Sequence, residues 1–211
     1  MTPLSRRAFG TAALGSLLVG CSGGAAEPAA DTRARRTRGT GGSGDGPSSG
    51  TSANSVRALG RSAPVRLLIP AIAVDTPLIR LGLAKDGTVE VPPITADDRA
   101  GWYLHSPTPG EVGPSVVLGH VTVGNYGDGV FRRLAELRRG DRIVARRKDG
   151  STAEFAVDRV RTVAKAEFPA EQVYGDVDRP ELRLITCGGP RDGQEYRDNV
   201  IVFAALRSTS P

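Results

Sequence analysis

From Ser62 onward the chain is a series of short apolar runs broken by Gly, Pro and Asp turns. The runs cover residues 65–69, 72–78, 88–91, 115–120, 141–146, 155–163, 181–187 and 200–206. Each has strand length and is rich in β-branched residues. Several are apolar on successive positions, as in Val200-Ile201-Val202-Phe203. A strand of that kind is covered on both faces rather than on one. Asp149-Gly150 between two runs is a hairpin signal. One segment, 131–138, has helical spacing: Phe131, Leu134 and Ala135 share a face, Asp128 lies upstream as a cap and Gly140 follows as a stop. About eight short strands with one or two short helices predict a mainly β fold, a closed β-barrel.

The chain has 211 residues, room for one ordinary domain beside its leader and linker. No apolar stretch reaches the ~18 residues of a membrane-spanning helix, which excludes a multi-pass membrane protein. Two Cys and two His exclude a zinc scaffold or a disulfide-rich mini-protein. The net charge of +5 lies wholly in residues 1–61, which hold 8 Arg against 3 acids. The remaining 150 residues balance 20 basic groups with 20 acidic ones. A nucleic-acid module concentrates basic charge on its folded face, so no nucleic-acid partner is expected. Basic residues beside a membrane anchor account for the excess.

Residues 1–21 read as an export signal. Arg6 and Arg7 precede a 13-residue apolar run from Ala8 to Gly20. That is too short for a bilayer core of ~30 Å and suits a signal-peptide h-region. Ser5-Arg6-Arg7-Ala8-Phe9 resembles a twin-arginine signal, and Leu18-Val19-Gly20-Cys21 resembles a bacterial lipobox. On that reading Cys21 is lipidated and the protein is held at the outer face of the cytoplasmic membrane. Residues 22–61 follow as a linker with nine Gly, six Ser and no aromatic residue. Such a stretch buries too little apolar surface to offset its ordering entropy. Residues 62–211 form one folded domain on this reading.

With Cys21 acylated, Cys187 is the one remaining thiol and no intrachain disulfide forms. Cys187 ends a run, Leu182 to Cys187, and Gly188-Gly189-Pro190 follow. Glycines beside a strand-end thiol let a substrate backbone approach it. The competing reading is a buried core cysteine. An ordinary thiol is only ~3% thiolate at neutral pH, so a Cys nucleophile needs a partner. An imidazole supplies one and can pass a proton to a departing amine. His120 ends the run 115–120 and is favoured over His105, which lies in a turn-rich connection. Arg197, just before the last run, keeps its charge and can hold a carbonyl or an oxyanion. For any one of 25 Arg, a surface ion pair, here with Asp198, is the alternative.

Leu184-Ile185-Thr186-Cys187 resembles the signature of sortases, the Gram-positive cysteine transpeptidases. Gly119-His120-Val121 resembles their histidine motif, and Arg197 lies where their arginine enters the last strand. Residues 65–206 look like the class F branch, through Arg66-Leu67-Leu68-Ile69-Pro70, Val91-Pro92-Pro93, Gly101-Trp102-Tyr103, Pro109-Gly110-Glu111 and Val130-Phe131. The resemblance implies an eight-stranded sortase barrel, no metal or cofactor, and the triad Cys187, His120 and Arg197. It implies as partners secreted proteins with a C-terminal LPxTG-like signal, cleaved between Thr and Gly, and a cell-wall amine acceptor. Only nine residues separate Cys187 from Arg197, fewer than in some other branches, which leaves Arg191 as an alternative third residue. Sortases more often carry a transmembrane anchor than a lipobox.

Two other readings stand beside this one. A second Cys/His cell-wall hydrolase is possible, although the Ser-His-Gly-x-Cys cluster of L,D-transpeptidases is absent. Papain-like amidases place Cys before His, the reverse of the order here. A non-catalytic surface lipoprotein binding cell-wall peptides is the reading from a different class.

Overall fold

The structure is a computed structural model that describes residues 56–94, 99–193 and 195–211. Residues 1–55 lie outside the described residues, and with them the export signal, Cys21 and most of the linker. Eight strands close into a barrel: β1 (Pro64–Ile69), β2 (Val74–Leu81), β3 (Ala100–Tyr103), β4 (Gly113–Leu118), β5 (Arg142–Arg147), β6 (Thr152–Ala164), β7 (Pro180–Asp192) and β8 (Glu195–Ser210). Their order around the barrel is β1-β2-β3-β4-β7-β8-β6-β5. The β2–β3 and β4–β7 pairs are parallel and the rest antiparallel. One short helix, α1 (Ala170–Tyr174), lies in the β6–β7 connection.

Closure follows from how the strands spend their two faces. The barrel interior is filled by Leu67, Ile69, Trp102, Val117, Ile143, Phe155, Leu182, Leu184, Val200 and Val202, among others. A second cluster covers the outer face of β4, β7 and β8: Val116, Val163, Val173, Ile185, Ile201 and Phe203, with Tyr103, Leu118 and Phe168 packed against them. Alternate residues of one run thus serve two apolar clusters, which is why Val200 to Phe203 are all buried. Burying a Phe or Leu side chain in such a core contributes about 1.5–3 kcal/mol.

Two expected elements differ. Residues 131–138 form no α-helix; they hold one 3-10 turn, Leu134–Glu136, set in a chain of tight turns. Phe131, Leu134 and Leu137 are buried, while Ala135 is exposed. A spacing of three belongs to the 3-10 repeat, not to the 3.6-residue one. The run at 88–91 forms no strand and makes only a bridge between Leu83 and Val89. Its place in the barrel is taken by β3, whose four residues carry Trp102 into the core. The 149–150 turn does close the β5–β6 hairpin, with Gly150 at φ 90° and the Gly150 N–H donating to the Arg147 carbonyl.

The packed chain begins ahead of Ser62. Leu59 donates its N–H to the Gly110 carbonyl at 2.8 Å, and the Arg61 guanidinium lies 5.8 Å above the Trp102 ring. The fully buried Arg147 side chain donates to the carbonyls of Gly60 and Ser62 and to Ser151 Oγ. This strap crosses the end of the barrel where β4 and β7 start. Cys187 lies seven residues farther along β7, ~23 Å at strand rise.

Candidate active site

The β4–β7 register carries His120 toward Cys187. Leu118 pairs with Ile185, and the Gly119 N–H donates to the Ile185 carbonyl at 3.1 Å. The next step along each strand brings His120 level with Cys187. The face is set by alternation. Val116 and Ile185 belong to the outer cluster, so His120 and Cys187, at the same parity, open outward rather than into the barrel. The half-buried Cys187 thiol is free, and it shares an outer cleft of about 460 Å³ with His120. Ile94, Thr122, Lys165, Arg191 and Tyr196 also line that cleft.

His120 is held by main chain on two sides. Its carbonyl accepts the Phe131 N–H at 2.9 Å, and the Gly129 N–H donates to the Val121 carbonyl at 2.9 Å. A Cβ on Gly129 would collide with the His120 carbonyl, and one on Gly119 would come within 2.6 Å of the Phe131 ring. The imidazole Nε2 lies 2.6 Å from the carbonyl oxygen of Pro92, in the β2–β3 connection. His105 is exposed, stands edge-on to Tyr103 at 5.5 Å, and is not among the residues lining the cleft.

The two arginines fall differently. Cys187 pairs with Asn199 across β7–β8, so Arg197, two residues from Asn199, has the parity of Cys187. Its exposed guanidinium donates to Asp192 Oδ2 at 3.1 Å and does not line the cleft. The sequence alternative, an ion pair with Asp198, is not the one formed. Arg191 does line the cleft. It donates to Thr122 Oγ1 at 3.1 Å and to the Tyr196 hydroxyl at 2.6 Å, with its guanidinium 4.5 Å over the Tyr196 ring. The ladder is irregular between Gly188 and Arg191, and this bulge turns Arg191 into the cleft.

Beneath the β6–β7 connection lies a buried ion pair. Arg183 donates to Glu181, and its Nε reaches the Gln172 carbonyl of α1 at 3.2 Å. Burial pushes the Glu181 carboxyl up, but the hydrogen bonds and charges of Arg183 and Arg179 outweigh it and hold the group below the usual carboxylate range.

Sequence reasoning did not anticipate Pro92, Asn199, Thr122 or Tyr196. The Cys187–Asn199 pairing depends on a register that no local pattern encodes. The Pro92 carbonyl is main chain, and main chain leaves no residue-type signal.

Residues 67–207 match the sortase domain, and the chain belongs to the sortase family. No curated protein matches the chain. Among solved structures, it is similar to sortase A from Corynebacterium diphtheriae with a TM-score of 0.55 and 20% identity, over 72% of this chain and 64% of that one. It therefore spans less than two thirds of that neighbour's length. Sortase C-1 from Actinomyces oris follows at a TM-score of 0.52 and 23% identity, over 68% of this chain and 74% of that one. A Clostridium perfringens sortase D5 transpeptidase aligns at 0.51 and 19% identity, over 74% of this chain and 84% of that one. These neighbours share the barrel.

Proposed function

We propose that the chain is a class F-like cysteine transpeptidase of the cell envelope, acting on secreted proteins that end in an LPxTG-like sorting signal. Cys187 Sγ attacks the Thr carbonyl carbon, the peptide C–N bond breaks, and a thioacyl-enzyme forms. His120 gives a proton to the departing Gly amine. Arg197 steadies the carbonyl oxygen as negative charge develops on it. A cell-wall amine then takes the acyl group: its nitrogen bonds to the carbonyl carbon, its proton returns to His120, and the Sγ–C bond breaks. Cys21 is cleaved free at its N-terminal side and acylated, and the linker lets the barrel work above the membrane.

The observation that supports this reading is the common cleft of Cys187 and His120, reached through the parallel β4–β7 register. A specific observation also favours a second assignment for the third role: Arg191, not Arg197, has its guanidinium on the cleft.

The test is cleavage of a fluorogenic sorting peptide by the full chain. Loss of activity in Cys187→Ala and in His120→Ala, with His105→Ala active, is the expected result. Activity that survives Cys187→Ala ends the mechanism. Mass spectrometry of the exported protein checks the anchor: an N-terminal acylated Cys21 is expected, and an intact Met1 terminus contradicts it.

A further inference from the structure

The His120 ring makes a polar contact to main chain. Nε2 and the Pro92 carbonyl oxygen are 2.6 Å apart, and a carbonyl can only accept. Nε2 therefore carries the proton in this contact. We infer that the Pro92 carbonyl is the positioning partner of His120, fixing Nε2 as the permanently protonated nitrogen and leaving Nδ1 as the edge that exchanges protons with the substrate. The inference rests on the proposed role of His120 as proton carrier.

Three features make this carbonyl a built acceptor rather than a passing one. Pro92 is buried and is followed by Pro93, and a residue before proline is confined to extended conformations, which fixes the direction of its carbonyl. The segment ahead of it is closed on itself. The Gly82 N–H donates to Glu90 Oε2 at 2.7 Å, the Glu90 N–H to the Gly82 carbonyl at 3.1 Å, and Leu83 bridges Val89. The residue after the proline pair, Ile94, reaches the cleft wall beside Gly124. Hydrogen bonds thus hold the segment that leads to the acceptor.

The chemistry follows. When the peptide bond breaks, the proton on Nδ1 of the imidazolium passes to the departing amine nitrogen, while the Nε2–H goes on donating to the Pro92 carbonyl oxygen. When the acceptor amine attacks, the Nδ1 lone pair takes its proton. An imidazolium N–H donates more strongly than a neutral one, so the carbonyl supports the charged ring in both halves. The ring does not have to turn between them.

The experiment uses the full chain with Cys21→Ser, labelled with 15N-histidine and 13C-proline, and with His105→Gln to assign the two rings. The neutral His120 ring is expected to show a protonated Nε2 and a bare Nδ1. Its Nε2–H should be protected from solvent exchange and coupled to the Pro92 carbonyl carbon. Pro93→Gly, which frees that carbonyl, should remove the protection and lower kcat about tenfold with KM unchanged. Pro92→Ala, which keeps the carbonyl, should keep the protected proton and most of the activity. A protected proton on Nδ1, or a ring N–H of His120 that exchanges as fast as that of His105 in the unsubstituted chain, overturns the inference. The ring measurement needs no turnover. Failure of the His120 role itself appears instead as peptide cleavage surviving His120→Ala.

Discussion

Cys187 and Asn199 stand directly opposite one another in the β7–β8 ladder. Arg197 lies two residues before Asn199 and shares its parity, yet its guanidinium is drawn to Asp192. That ion pair is exposed at both ends and is worth at most about 1 kcal/mol. Substrate can outcompete it. Arg197→Ala is therefore expected to lower kcat on a sorting peptide by about 10²- to 10³-fold, and Arg191→Ala by less than tenfold. Asp192→Ala should keep full activity or raise it up to about fivefold. The opposite ranking of the two arginines in steady-state kinetics would transfer the third role to Arg191.

His120 owes its position to glycines at which no Cβ fits. In Gly129→Ala the added methyl meets the His120 carbonyl. The expected cost is about 1–3 kcal/mol of stability. Because backbone must shift to admit the methyl, kcat should fall further than stability alone explains when measured well below the melting temperature. A variant with normal kcat would show that the 120–129 loop does not position the ring.

Arg147 ties the strap to the end of the barrel away from the cleft. Arg147→Ala removes the buried guanidinium and its part-buried, charge-assisted hydrogen bonds to the Gly60 and Ser62 carbonyls. A loss of about 3 kcal/mol is expected, and a melting temperature lower by about 10 °C. Deleting residues 56–61 should destabilise in the same direction. Peptide cleavage at low temperature should survive both changes, since neither reaches Cys187 or His120. Calorimetry paired with the cleavage assay checks this.

Glu181 makes the fold sensitive to acid. Its carboxyl is held below the ordinary value of 4.5, and Arg183 stays charged throughout the accessible range. A carboxyl depressed by folding adds stability above its unfolded pKa and gives it up as pH falls through the folded one. Denaturant melts should therefore show falling stability from about pH 4.5 downward. Glu181→Gln should be less stable at neutral pH, because the buried Arg183 loses its counter-charge, and should depend less on acid below that point. A Glu181→Gln melt with the same acid slope would contradict the assignment.

Much of the barrel was readable because its strands alternate between two apolar clusters. Seven of the expected runs coincide with strands, and Val200 to Phe203 pack on both faces as a continuous apolar run should. The failures have physical causes. β3 is four residues long and carries Trp102 and Tyr103 in what reads as a turn-rich connection. The 131–138 segment shows apolar residues at 131, 134 and 135, and only packing decides between a helical and a 3-10 repeat. The parallel pairing of β4 with β7 brings His120 level with Cys187 across 67 positions of sequence, and no local signal encodes it. The thiol and imidazole were legible from their glycine neighbours, but not as strand ends: β7 runs on past Cys187 to Asp192, and β4 stops at Leu118, two residues short of His120. The Arg197–Asp192 contact and the Pro92 carbonyl were not, because both depend on the bulge and turns of the folded chain.

The most direct measurement of the central claim is the intact mass of the full chain during turnover of a sorting peptide, quenched in acid to preserve thioesters. The account predicts a mass gain equal to the peptide fragment ending at Thr, mapped to Cys187 and removed by hydroxylamine. Turnover with no adduct on Cys187, or an adduct on another residue, would contradict it.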